Sequence, residues 1–211
     1  MPNHRLFLAI KLPQELLAQL QNYQEQLNPQ IFRIVEEDKL HLTLIFLDYI
    51  EEEKIKIIQD VALEITKNFQ PQLIQFLETK YGPTSAEASA GRPNPKFPRL
   101  IWLEGSSNHS LEQLKRILEQ ELRAKAKITL KEENRSFLPH ITLARIKTFP
   151  PTFNVGPGAF NAPPNNLPPE TKIKTKINFS FFPTNLWLIE SQLKRTGAEY
   201  TDLDKFEFKQ V

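Results

Sequence analysis

Two copies of one four-residue pattern stand far apart in the chain, His41-Leu42-Thr43-Leu44 and His140-Ile141-Thr142-Leu143, and they hold two of its four histidines. An imidazole with an ordinary pKa of about 6.5 can take or give a proton near neutral pH, so a pair can divide one job. A phosphodiester suits such a pair. One neutral histidine takes a proton from water as it attacks phosphorus, and one protonated histidine gives a proton to the leaving ribose oxygen. The two threonine hydroxyls can donate hydrogen bonds to the non-bridging oxygens. The scheme needs no metal and no cofactor, and the motif lacks the H-E-x-x-H spacing of a metal site.

Side chains alternate along a strand, so His41 and Thr43 share one face while Leu42 and Leu44 anchor the other; His140 and Thr142 repeat this against Ile141 and Leu143. Lys39 and Ile45 have the parity of His41, and Phe7 has that of Arg5 and Ala9. A single H-x-T-L is most simply a half-buried strand histidine; two copies at equivalent places in a repeat point to a shared site. His4, at a strand start, and His109, near a helix start, have no such context and read as surface residues.

The elements around the motifs form a weak internal repeat. RLFLAIKL (residues 5–12), a helix from Pro13 to Asn28 and a strand over 40–47 match RLIWLEG (99–105), a helix over 108–125 and a strand over 137–146. From Arg5 to His41 is 36 positions, and from Arg99 to His140 is 41. A second helix is predicted over 51–69, with Ile55, Ile58, Ala62 and Ile65 on one face, and a strand over 73–81. Asn108 or Ser107 is the expected cap of the 108–125 helix. Three strand-like runs, 172–182, 185–194 and 200–208, read as a closing antiparallel meander. Segment 83–98 is rich in proline and small residues, and 148–171 carries seven prolines. Both are expected to be exposed loop insertions, the second with neither regular helix nor central strand.

Composition narrows the classes. A chain of 211 residues, 40% apolar and 25% charged, is ordinary for a globular protein with a real core. A net charge of +2 argues against coating nucleic acid along a broad basic face, leaving local grip at a phosphate. With no cysteine, thiolate chemistry and disulfides are excluded. No long apolar run or signal-like start is present, so no membrane is involved and a cytoplasmic location is expected. A monomer is the expected state.

These residues resemble the 2H phosphoesterase superfamily, and within it the RNA 2′,3′-cyclic phosphodiesterases, also called 2′-5′ RNA ligases. RLFLAIKLP, LHLTLIFL, LPHITLAR and the ending LIESQLKRTGAEYTDLDKFEF carry the resemblance from Arg5 to Phe208. It implies an α+β fold: a single domain of two intertwined, pseudo-twofold lobes, with two antiparallel sheets flanking a central cleft and helices outside. It implies hydrolysis of an RNA 2′,3′-cyclic phosphate end to a 2′-phosphomonoester, with His41 as proton donor and His140 as proton acceptor. Thr43, Thr142 and Arg145 would hold the phosphate, and Phe7 would lie near the base. Strict alternation sets Arg145 opposite His140, so its role requires the strand to bulge or end. The usual pattern H-L-T-L-K-F-L-G is broken here by Ile45 and Asp48; Ile45 is expected to remove a positive charge from the cleft. Other small cyclic phosphates, a nucleotide-derived cofactor fragment, 2′-5′-linked oligonucleotides or ligation of such ends would suit the same site. An RNA-end binding module without turnover is the rival from another class.

Overall fold

The structure is a computed structural model that describes residues 3–82, 99–131, 136–147, 168–195 and 197–209. The segments 83–98 and 148–167 therefore lie outside the described residues. In chain order the elements are β1 (Asn3–Lys11), α1 (Gln14–Gln24), β2 (Phe32–Ile34), a 3-10 turn (Glu37–Lys39), β3 (His41–Glu51), α2 (Glu52–Asn68) and β4 (Ile74–Tyr81). There follow β5 (Leu100–Gly105), α3 (His109–Lys125), β6 (His140–Ile146), α4 (Glu170–Ile173), β7 (Lys176–Phe181), β8 (Asn185–Lys194) and β9 (Gly197–Glu207).

The strands run in the order β7-β4-β5-β6-β3-β1-β8-β9, with β2 on the free edge of β6, and every pairing is antiparallel. β3 and β6 share the register pair Leu42↔Ile141. Around it the sheet falls into two four-stranded lobes, β3-β1-β8-β9 and β6-β5-β4-β7, related by a pseudo-twofold. The two part because β2 takes the edge of β6 beyond this point, pairing Arg33 with Arg145. The fold is thus the α+β, bilobal one that the resemblance implies.

The lobes exchange segments. The early strand β4 sits in the lobe of β5 and β6, while the late strands β8 and β9 sit in that of β1 and β3. The helices cross as well: α1 packs against β6, and α3 against β3 and α2. Period-2 apolar runs explain the main core. Leu6, Leu8 and Ile10 of β1, Leu42 and Leu44 of β3, and Ile141 and Leu143 of β6 are buried together against Leu16 and Leu20 of α1 and Leu111, Leu114 and Leu118 of α3. Asn108 caps α3 as expected, its Oδ1 accepting from the Leu111 N–H at 3.0 Å.

Two expectations change. The closing runs are no meander: β7 pairs with β4 at the far edge, and only β8 and β9 form a hairpin. Pro183-Thr184 carries the chain from one lobe to the other instead of turning it back. The end of the 148–171 segment is not wholly irregular, because Glu170 and Thr171 begin the single turn of α4 after Pro168-Pro169. A proline just before a helix loses no intrahelical hydrogen bond.

Candidate active site

Each motif histidine is the first residue of its strand, and the carbonyl two residues earlier fixes its ring. His41 Nδ1 lies 2.8 Å from the Lys39 oxygen, and His140 Nδ1 lies 3.0 Å from the Leu138 oxygen. A carbonyl can only accept, so Nδ1 carries the hydrogen in both neutral rings and Nε2 is the basic nitrogen of each. The two lobes thus present the same tautomer in the same way.

The pair Leu42↔Ile141 sets the rest. By antiparallel register His41 faces Thr142, and Thr43 faces His140. All four polar side chains are half-buried on the sheet face that the helices leave uncovered, while Leu42 and Ile141 are buried beneath them. The histidines are diagonal neighbours, about 7–8 Å apart at the backbone.

Burial pushes the His41 pKa below the ordinary imidazole value, and the charges of His140 and Lys11 push the same way; the hydrogen bond to Lys39 opposes them. Lys11 stands opposite His41 across β1 and β3, ion-paired with Asp202 and 4.2 Å above the Trp187 ring. Glu104 takes the matching place opposite His140, paired with Lys80 at 2.6 Å.

Both motif strands bulge just after the motif. In β6, Ile101 pairs with Ala144 and Trp102 with Thr142, so Leu143 is skipped; Leu143 and Ala144 are both buried. The carbonyl of Leu143 receives the Val35 N–H at 2.9 Å and the Gln24 side-chain amide at 2.9 Å, which holds the bulge in place. The extra residue flips the parity, and Arg145 joins the face of His140 and Thr142, as its expected role requires. In β3 the pairs Leu8↔Ile45 and Ala9↔Thr43 skip Leu44 in the same way. Ile45 is therefore not on the cleft face: it is 3% exposed in the core, and Phe46 takes the open position matching Arg145.

Phe7 stands on the site face, its ring 4.9 Å from that of His41, but it is only 3% exposed. It is buried with Ala9 and Ile189 under Trp187 and Tyr200. Lys39 lies in the 3-10 turn, ahead of β3, paired with Glu36. His4 is part-buried and bonded to Glu190 at 2.7 Å, so it is no surface residue, whereas His109 is exposed.

Three neighbours escaped the sequence reading. Trp102 packs its ring 4.4 Å from His140, and Tyr200 meets His41 edge-on at 5.4 Å; strand parity could have flagged both. Arg33 stands directly across β2 and β6 from Arg145, and both are exposed. Like charges placed so are unfavourable unless an anion joins them. Only the unforeseen strand β2 reveals this pair.

Comparison with known proteins agrees with the fold. Residues 2–185 match the family model described as "AKAP7 2'5' RNA ligase-like domain". An RNA 2′,3′-cyclic phosphodiesterase of Methanocaldococcus jannaschii is 33% identical over 143 residues, covering 68% of this chain and 72% of that one. One of Escherichia coli is 30% identical over 208 residues, covering 98% and 97%. The crystal structure of TT0787 of Thermus thermophilus superposes with a TM-score of 0.73 at 25% identity, over 97% of this chain and 98% of that one. That of E. coli LigT complexed with 3′-AMP gives 0.69 at 27%, over 99% and 100%. With its paired H-x-T-L motifs on the central strands of this fold, the chain belongs to the 2′-5′ RNA ligase-like family of the 2H phosphoesterases.

Proposed function

We propose that the protein hydrolyses RNA 2′,3′-cyclic phosphate ends to 2′-phosphomonoesters. The observation that carries this is the facing of His41 and Thr43 with Thr142 and His140 across one register pair, with both Nδ1 atoms held by carbonyls. Relatives spanning nearly the whole chain are described as RNA 2′,3′-cyclic phosphodiesterases, and a structural neighbour binds 3′-AMP.

His140 Nε2 takes a proton from a water molecule whose oxygen attacks phosphorus. The P–O3′ bond breaks in line, and O3′ takes the proton of His41 Nε2. The 2′-phosphate and a 3′-hydroxyl remain, and solvent returns the histidines to their starting states. Thr43 and Thr142 donate to the non-bridging oxygens, and Arg145 balances their charge. Phe7 packs against His41 beneath the nucleoside. Every proton movement is accounted for by the two imidazoles, so the scheme calls for no metal.

The lowered pKa of His41 favours, in the free protein, the opposite division with His41 as base. A bound phosphodiester anion opposes this lowering of His41, and the aromatic rings favour the first division. In-line displacement puts the ribose on the acid's side; Phe7, Tyr200 and the exposed Phe46 cluster on the side of His41, whereas the ring beside His140, Trp102, is buried, only 7% exposed. The test is to compare His41→Ala and His140→Ala on a cyclic-ended oligonucleotide and on an aryl phosphodiester, whose leaving group needs no acid. Both variants are expected to lose at least about 100-fold on RNA. The aryl substrate is expected to rescue His41→Ala alone; rescue of His140→Ala alone would reverse the roles.

A further inference from the structure

The open face of the His41 lobe continues past the site as an apolar track. After the first bulge β3 skips a second residue, Leu47, between Phe7↔Phe46 and Leu6↔Asp48. Asp48 takes the left-handed conformation, φ 62°, and the following pair is Arg5↔Tyr49. Two bulges therefore keep His41, Thr43, Phe46 and Tyr49 on one face. Phe46 is 61% exposed and Tyr49 63%, beside a core in which neighbouring apolar residues are buried. Phe46 also meets the Phe7 ring at 6.2 Å, and Phe7 meets His41, so the track is continuous with the catalytic pair. Arg5, the register partner of Tyr49, donates to Ser191 Oγ of β8 at 3.0 Å, which places a cation on the same face one strand away from Tyr49. The matching places in the other lobe have Arg145 and Leu100 for Phe46 and Phe7, and the aromatic there, Trp102 beside His140, is only 7% exposed, so among the described residues the exposed aromatic pair lies on the His41 lobe.

We infer that Phe46 and Tyr49, with Arg5, form a track for a single RNA strand running 5′ from the reacting end, Phe46 stacking the terminal base and Tyr49 the next. Sequence-tolerant RNA binding combines aromatic platforms with cations along the backbone. The partners of Phe46 and Tyr49, Phe7 and Arg5, are two residues apart on β1, about 6.6 Å, a step that suits successive bases of an extended strand. The inference rests on the proposed reaction, because the acid's side is where the ribose lies. It makes oligonucleotides, rather than cyclic mononucleotides, the preferred substrates.

The test compares kcat/KM for a 2′,3′-cyclic mononucleotide and a cyclic-ended tetranucleotide in wild type, Tyr49→Ala and Tyr49→Trp. Fluorescence anisotropy of a labelled single-stranded tetranucleotide is measured on the same proteins. Wild type is expected to prefer the tetranucleotide at least about tenfold. Tyr49→Ala should lower the tetranucleotide about tenfold more than the mononucleotide and weaken RNA binding to match, with Tyr49→Trp restoring both. Equal turnover of the two substrates by wild type, or equal loss on both in Tyr49→Ala, would overturn the track and leave the reaction standing. If neither substrate turns over, the proposed reaction falls and the anisotropy alone decides: binding that Tyr49→Ala does not weaken refutes the track. A dimer that dissolves in Tyr49→Ala, without any preference for length, would assign the face to self-association instead.

Discussion

Each motif histidine is defined by one short contact. A carbonyl two residues back keeps the hydrogen on Nδ1, and Nε2 is the atom that the proposed reaction uses. The depressed pKa of His41 has a consequence for stability. The folded protein holds fewer protons at His41 than the unfolded chain near its ordinary value, so this residue's contribution is fully present above about pH 6.5. It is lost as pH falls through the lower folded value. Thermal unfolding is expected to move to lower temperature on acidification through this window, with a shallower slope in His41→Gln. Inorganic phosphate, by placing an anion between the histidines, should lift His41 and flatten the wild-type slope. An NMR titration of the ring checks this directly, and a free-protein pKa above the ordinary imidazole range would contradict it. The motif residues were legible from spacing and parity because nothing interrupts alternation from His41 to Thr43 or from His140 to Thr142.

At the level of elements, the bulges determine what faces the substrate. The rule of alternation placed Ile45 in the cleft and Arg145 outside it, and one extra residue in each strand reverses both assignments. No residue type marks these bulges: Leu44 and Leu143 are ordinary strand residues whose skipped positions emerge only from pairing. The second bulge in β3 does leave a trace, since the H-L-T-L-K-F-L-G pattern that the chain resembles has glycine at the place of Asp48. Its φ of 62° lies in the region glycine occupies freely. Asp48→Gly is expected to stabilise the protein by up to about 1 kcal/mol, read as a rise of roughly 2–4 °C in Tm. A fall in Tm would mean that the aspartate side chain holds the bend. The helices were legible from their apolar stripes, as Leu111, Leu114, Leu118 and Leu122 of α3 show. The three-residue β2 was not, because it carries too few side chains to show a period, and with it went the Arg33 and Arg145 pair.

Across the whole molecule, two copies of strand-helix-strand meet at Leu42 and Ile141, and each lobe supplies one histidine and one threonine. The repeat was visible in the element order. The exchange of β4 against β8 and β9 was not, because strand pairing over such separations leaves no local mark; β7 was read beside β8 for that reason. In the proposed reaction the symmetric pair grips a phosphate from both sides, and the break in symmetry gives the centre direction. One lobe puts Arg145 on the face of the histidines, and the other puts the exposed Phe46 and Tyr49 there, where the proposal places a nucleoside and its neighbour. No helix among the described residues is long and apolar enough to cross a membrane. The most direct measurement incubates an oligonucleotide ending in a 2′,3′-cyclic phosphate with wild type, His41→Ala and His140→Ala in the presence of a chelator, and reads the product by phosphorus NMR. The expected result is a 2′-phosphate with a free 3′-hydroxyl from wild type and almost no turnover from either variant. A 3′-phosphate, a loss of activity with the chelator, or near-wild-type turnover by either variant would contradict two histidines acting from opposite lobes on one phosphate.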